Sequence, residues 1–175
     1  LNDRSKCYYY VASLEVGSMK KNKIEILFWS IALPGFGQIL NGQIIKGILF
    51  IGLEILVNFQ ANFNQVILLS FNGKILEAIH QTDYGWLMFY PCVYFFAMWD
   101  AYKNAEGITP PYSFFPFVLA AYFGTVGIIY SSSLTIFGVL FGPLWLSMLF
   151  FIIGIGIGLL VKRILIIKSS VIDQS

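Results

Sequence analysis

The stretch Leu33-Pro34-Gly35-Phe36-Gly37-Gln38-Ile39-Leu40-Asn41-Gly42-Gln43-Ile44-Ile45-Lys46-Gly47 decides the fold. It sets a polar turn, punctuated by proline and glycine, between apolar runs at residues 26–40 and 44–57. Asn41-Gly42-Gln43 is too short to travel along a surface, so the flanking runs are expected to be antiparallel neighbours in a tight membrane hairpin. Pro34 lacks an amide proton and disfavours helix at Leu33, and Gly35 and Gly37 loosen the backbone beyond it; the helix is therefore expected to kink or break there. In hydrocarbon, freed backbone groups persist only where protein or water satisfies them. Gln38, Asn41 and Gln43 are placed to do so. Glycines recur at 37, 42, 47 and 52. A step of five turns about 140° around a helix, so they form no single packing face.

Working outward, the chain is 58% hydrophobic and 11% charged, with a mean hydropathy of +0.76. An average soluble domain carries about 25% charged residues. The class is integral membrane protein, with one multipass domain over residues 19–168 and a short tail at 169–175. The net charge of +2 is split among clusters at the ends of apolar segments, which excludes the basic stripe that nucleic-acid binding needs. Cys7 and Cys92 lack CxxC spacing, which argues against a disulfide framework or structural zinc. Residues 1–18 show no helical period and precede Met19-Lys20-Lys21-Asn22-Lys23, the way a bacterial membrane protein begins. Translation is expected to start at Met19, making residues 1–18 a non-native upstream extension; a disordered tail is the alternative. Residues 20–32 have the basic and apolar parts of a signal peptide but no small-x-small cleavage site, so the first segment is expected to stay uncleaved.

A helix needs about 20 residues to cross a ~30 Å hydrocarbon core. Residues 26–40, 44–57 and 86–99 fall short, 114–130 nearly suffices, and 136–161 is ample. Between 58 and 85 the chain is rich in Asn and Gln. There Leu68, Phe71, Ile75 and Ile79 fall near helical spacing with Lys74, Glu77 and His80 away from them, which predicts an interfacial amphipathic helix. Asn72-Gly73 offers a competing β-hairpin turn. Trp86 and Trp99 bracket the third stretch, and Pro91 is expected to bend it. Lys20, Lys21 and Lys23 precede the first segment, and Lys162, Arg163 and Lys168 follow the last, so the positive-inside rule puts both ends in the cytoplasm. The number of crossings must then be even. The predicted fold is an all-α integral membrane helical bundle of four crossings, with residues 86–99 as a short re-entrant or interfacial element. A close rival makes one arm of the Pro-Gly hairpin the non-crossing piece.

Ionisable groups deep in lipid are expensive, and Glu54 stands out as one. Read functionally it handles protons or cations; read structurally it is a satisfied polar group near the interface. Lys46 lies eight residues earlier and about 80° around the helix, so no direct partnership is expected. Asp100 and Lys103 are three apart, with Glu106 three further, which predicts an interfacial ion pair. The last segment carries Gly138-x-x-x-Gly142 and Gly154-x-x-x-Gly158, patterns for close helix approach within the protomer or between two copies, with a kink expected at Gly142-Pro143. No catalytic, metal or cofactor motif is present in the sequence. The candidate functional polar residues are Gln38, Asn41, Gln43, Lys46, Glu54, Asp100 and Lys103; Pro34, Gly35, Gly37, Gly42 and Gly47 form the structural hairpin.

Residues 33–47 fit the pattern LPGxGQxxNGQxxKG, and Trp99-Asp100-Ala101-Tyr102-Lys103-Asn104-Ala105 is a WDAYxxA-like run. In these the chain resembles small bacterial multipass membrane proteins, and its hairpin is similar to that of the two-helix transmembrane-domain proteins. Their downstream acidic motif is not clearly reproduced. The resemblance spans about half the chain and implies architecture and the bacterial plasma membrane, with no reaction or ligand. The function expected is non-enzymatic, through helix packing and partner binding. Its contact surfaces are expected at the hairpin, the loop at 100–106 and the segment at 62–80. The partners expected are the lipid bilayer and another membrane protein or a second copy, and no nucleic acid. The alternative is a solute or ion conduit using Glu54 with Gln38, Asn41 and Gln43.

Overall fold

The computed structural model describes residues 22–172. The expected start at Met19, residues 1–18 and the Lys20-Lys21 pair lie outside the described residues. The fold is all-α apart from one two-residue β-hairpin. Helix α1 (Lys23–Ala32) is capped by the Asn22 side chain, which accepts from the Ile24 amide. Leu33 leaves the helix with φ −151° and ψ 109°, Pro34 is buried, and Gly35 takes φ 99° before α2 (Phe36–Leu40) restarts. The break expected at Pro34 is thus present.

After a turn at Gly42 follow α3 (Ile44–Gln60), α4 (Phe63–Phe71), α5 (Ile75–Gln81), α6 (Tyr84–Leu87), α7 (Tyr90–Asn104) and α8 (Phe115–Tyr130). The β-hairpin of β1 (Thr135–Ile136) and β2 (Val139–Leu140) pairs Thr135 with Leu140 and leads into α9 (Gly142–Ile172).

Helix α7 is the hub, packed against α1, α2, α3, α6 and α8. It runs antiparallel to α3. Lys46 meets Asp100, the Phe50 ring lies tilted against Phe96 with centroids 5.9 Å apart, and Glu54 lies beside Tyr90. Helix α1 rises along α7 from Tyr102, which Lys23 contacts, to Tyr94, whose hydroxyl donates to the Ile31 carbonyl at 2.6 Å. Helix α2 then comes back down, for Gly37 lies against Ile26, Ser30 and Ala101. The chain thus doubles back over α1–α2, while residues 90–99 lie within the single helix α7. The runs at 26–40 and 44–57 touch through α2 and α3, while most of α1 packs on α7.

Both prolines read as bends prove to be helix starts. Pro91 and Pro143 are buried in the first turns of α7 and α9, where the missing amide proton costs nothing. Gly138-x-x-x-Gly142 is consequently not helical: both glycines have positive φ, Gly138 in the β-hairpin and Gly142 at the helix start. The second pattern does pack helices within the chain. A Cβ on Gly154 would stand 2.5 Å from the Leu119 carbonyl oxygen, and one on Gly158 would stand 2.5 Å from Pro116 Cα. Phe151 and Phe150 in turn fill the spaces left by Gly124 and Gly127, so α8 and α9 interdigitate along their length.

The segment at 58–85 is helical rather than a β-hairpin, but it is broken at Asn72-Gly73, where Gly73 takes φ 74°. Its buried face is Val66, Leu69 and Ala78, whereas Leu68 and Phe71 are exposed. Packing on Leu87, Ile128 and Leu144 chose that face over the one the spacing suggested.

The long helices give the bundle two distinct ends. At one, Lys23 Nζ donates to the Tyr102 carbonyl and to Thr109 Oγ1, and Lys162 Nζ donates to Ser113 Oγ. At the other, α4–α6 gather under the start of α9, with Trp145 Nε1 donating to the Ser70 carbonyl and Lys74 pairing with Glu77 at 3.2 Å. Residues Gly142–Ser169 have the length and composition to cross a membrane. So do α3 and α4 together, although they bend by 64° at the break between them. The exterior agrees: large apolar side chains such as Ile45, Phe59, Ile152 and Leu160 stand exposed all round.

Candidate functional site

The turn of the hairpin closes onto the last turns of α7. The Gly35 backbone faces Gly47 so closely that a Cβ on Gly35 would lie 2.5 Å from the Gly47 carbonyl oxygen. That approach holds α2 against α3, and from there the side chains of Gln38, Asn41 and Lys46 reach α7. Gln38 is fully buried, and its amide nitrogen donates both protons, to the Ala97 carbonyl at 2.7 Å and to Asp100 Oδ2 at 3.2 Å. Asn41 Nδ2 donates to the Ala101 carbonyl at 2.8 Å. These helical carbonyls have a second lone pair to offer.

Asp100 is the centre of the arrangement. Besides Gln38 it accepts from Lys46 Nζ at 3.1 Å and from Asn104 Nδ2 at 3.0 Å. Three donors converge on a carboxylate that accepts only, which gives a polar clasp between the two sequence motifs; Gln38 Oε1, buried beside it, accepts no hydrogen bond among the described residues. The ion pair expected between Asp100 and Lys103 is not formed. Lys103 is exposed, and among the described residues the partner of Asp100 is Lys46. The hairpin side chains also do not satisfy the break itself. Tyr94 does that, through the Ile31 carbonyl, while Gln38 and Asn41 serve α7. Gln43 contributes its backbone amide, which donates to the Gln38 carbonyl at 2.8 Å; its Oε1 is buried and accepts no hydrogen bond among the described residues.

Glu54 belongs to a separate place. It is half-buried on α3 beside Tyr90, with Oε2 buried and accepting nothing among the described residues. Tyr90 and Asp100 are ten residues apart on α7, so Glu54 sits about 15 Å along the bundle from the clasp. The candidates thus divide: Gln38, Asn41, Lys46 and Asp100 come together, Gln43 joins them through its backbone, and Glu54 and Lys103 stand apart.

The sequence reading missed Asn104, Tyr94 and the Lys162–Ser113 contact. Asn104 was visible in principle, one helical turn after Asp100; nothing local marks Tyr94, 63 residues from its acceptor. Comparison with protein-family models, curated proteins and solved structures returns no match.

Proposed function

We propose that this is a non-enzymatic multipass protein of the bacterial cytoplasmic membrane that docks a helix of another membrane protein, or of a second copy, within the bilayer. The reading rests on one observation. An apolar groove of about 800 Å³ runs between α3, α7 and α8, walled by Leu49, Phe96, Trp99, Val118 and Tyr122. The clasp supports it by tying α3 to α7, two of the groove's walls, at a fixed distance. Four crossings, α3, α7, α8 and α9, with α1–α2 entering and leaving from the cytoplasmic end, agree with the even number that the charges require. At roughly 22 to 26 Å, α3, α7 and α8 match a locally thinned bilayer. The resemblance of the two motifs to small bacterial multipass proteins points the same way.

Cys92 is exposed on the groove wall and provides the test. In a Cys7→Ser background, a thiol-linked photo-crosslinker on Cys92 in native membranes is expected to trap one dominant protein conjugate. Lipid adducts alone would refute the docking reading. The topology has its own check: a cysteine replacing Ser132, in the exposed turn after α8, is expected to react with an impermeant reagent only from outside the cell. Labelling only from the cytoplasm would overturn it. The conduit alternative draws on the buried, unpaired oxygen of Glu54. The amides of Gln38 and Asn41 are occupied on α7, about 15 Å away, and it ranks second for that reason.

A further inference from the structure

A second groove, of about 310 Å³, opens between α1, α7, α8 and α9 at the end where Lys23 and Lys162 gather. Its inner wall is apolar, formed by Leu27, Phe95, Phe117 and Ile155. Its mouth is formed by Tyr102, Ser113 and Lys162. From Lys162 back to Ile155 the helix rise gives a depth of roughly 10 Å. Lys162 on this mouth and Lys23 behind Tyr102 both lack what buried cations usually have. Lys23 is buried, donates to a carbonyl and a hydroxyl, and lies over the Tyr102 ring at 5.1 Å. Lys162 is half-buried and donates to Ser113 Oγ at 2.9 Å. Among the described residues neither meets a carboxylate; the ion pairs there are Lys46–Asp100 and Lys74–Glu77. The acidic residues nearest in sequence, Glu25 and Glu106, are exposed.

A pocket with an apolar interior, a lysine on its rim and a second lysine behind the rim's Tyr102 complements an amphiphilic anion. We infer that the groove seats one acyl chain of an anionic phospholipid, with its phosphate at Lys162 and Ser113 and with Lys23, through the face of Tyr102, as the second positive charge. The inference rests on the membrane placement proposed above. On that placement the mouth faces the cytoplasmic leaflet, where basic pockets between helices bind anionic headgroups.

The test is native mass spectrometry of the full chain released from nanodiscs holding equal amounts of phosphatidylglycerol and phosphatidylcholine with identical acyl chains. One phosphatidylglycerol is expected to remain bound in preference to phosphatidylcholine. Lys162→Gln is expected to lower its occupancy about fivefold. Lys162→Arg should retain it, which separates charge from folding. Leu159→Trp, which fills the groove and keeps the charge, should lower it as well, while Lys74→Gln at the opposite end should not. Equal retention of both lipids, wild-type occupancy in both Lys162→Gln and Leu159→Trp, or displacement of the lipid by an equal concentration of inorganic phosphate would each overturn the inference. Release of the chain from native membranes by alkaline extraction would overturn the membrane placement as well. Retention without lipid preference would overturn the inference alone.

Discussion

Gly35→Ala is expected to destabilise the chain by about 3 kcal/mol. Two costs combine at this position. A side chain at φ 99° is strained whatever the space around it, and here the added carbon would also meet the Gly47 carbonyl oxygen at 2.5 Å and Ile51 Cγ1 at 2.8 Å. Nothing flexible stands on the Gly47 side, so α2 and α3 would have to separate, and with them the donors that reach α7. Gly42→Ala is the control. Its φ of 77° carries similar backbone strain, but nothing lies within 4 Å of an added Cβ, and the expected loss is about 1 kcal/mol. Thermal unfolding in detergent micelles measures both. Equal losses would mean that the Gly35–Gly47 approach does not hold the hairpin together.

The clasp should respond as a unit. Asp100→Ala is expected to cost about 2 to 3 kcal/mol, since it strands one proton of the buried Gln38 amide and removes the acceptor of Lys46 and one of the two acceptors of Asn104. Gln38→Leu should cost about 2 kcal/mol. Together they should cost about 1 kcal/mol less than their sum. Lys46→Met should cost under about 1 kcal/mol, because the lysine side chain is 50% exposed and water can replace it. Strict additivity of Asp100→Ala and Gln38→Leu would dismantle the idea of a shared network.

The break at Pro34 was legible because its cause is local: a missing donor and a residue barred from helix sit side by side. The abundance of apolar surface was legible from composition for the same reason. The clasp was legible only in halves. Gln38, Asn41 and Lys46 are spaced along one run, and Asp100 and Asn104 along another, but the pairing crosses 54 to 62 residues and leaves no periodic trace in either. Pro91 and Pro143 were misread because a proline looks alike at a kink and at a first turn. What distinguishes them is whether the preceding residues are helical, and tertiary packing decides that. The short segment at 86–99 looked peripheral by length, yet α7 is central. Its small and aromatic side chains, Ala97, Ala101 and Phe95, are what let α1, α2 and α8 approach it.

The separation of the clasp's halves also sets a timetable for biosynthesis. Lys46 and Asp100 are 54 residues apart, so a ribosome adding 5–20 residues per second finishes the hairpin about 3 to 11 s before its acceptor is made. Throughout that interval the side-chain amides of Gln38 and Asn41 lack the α7 acceptors they have in the finished fold. The N-terminal hairpin thus leaves the ribosome as an unfinished part, and emergence of α7 is the event that completes it.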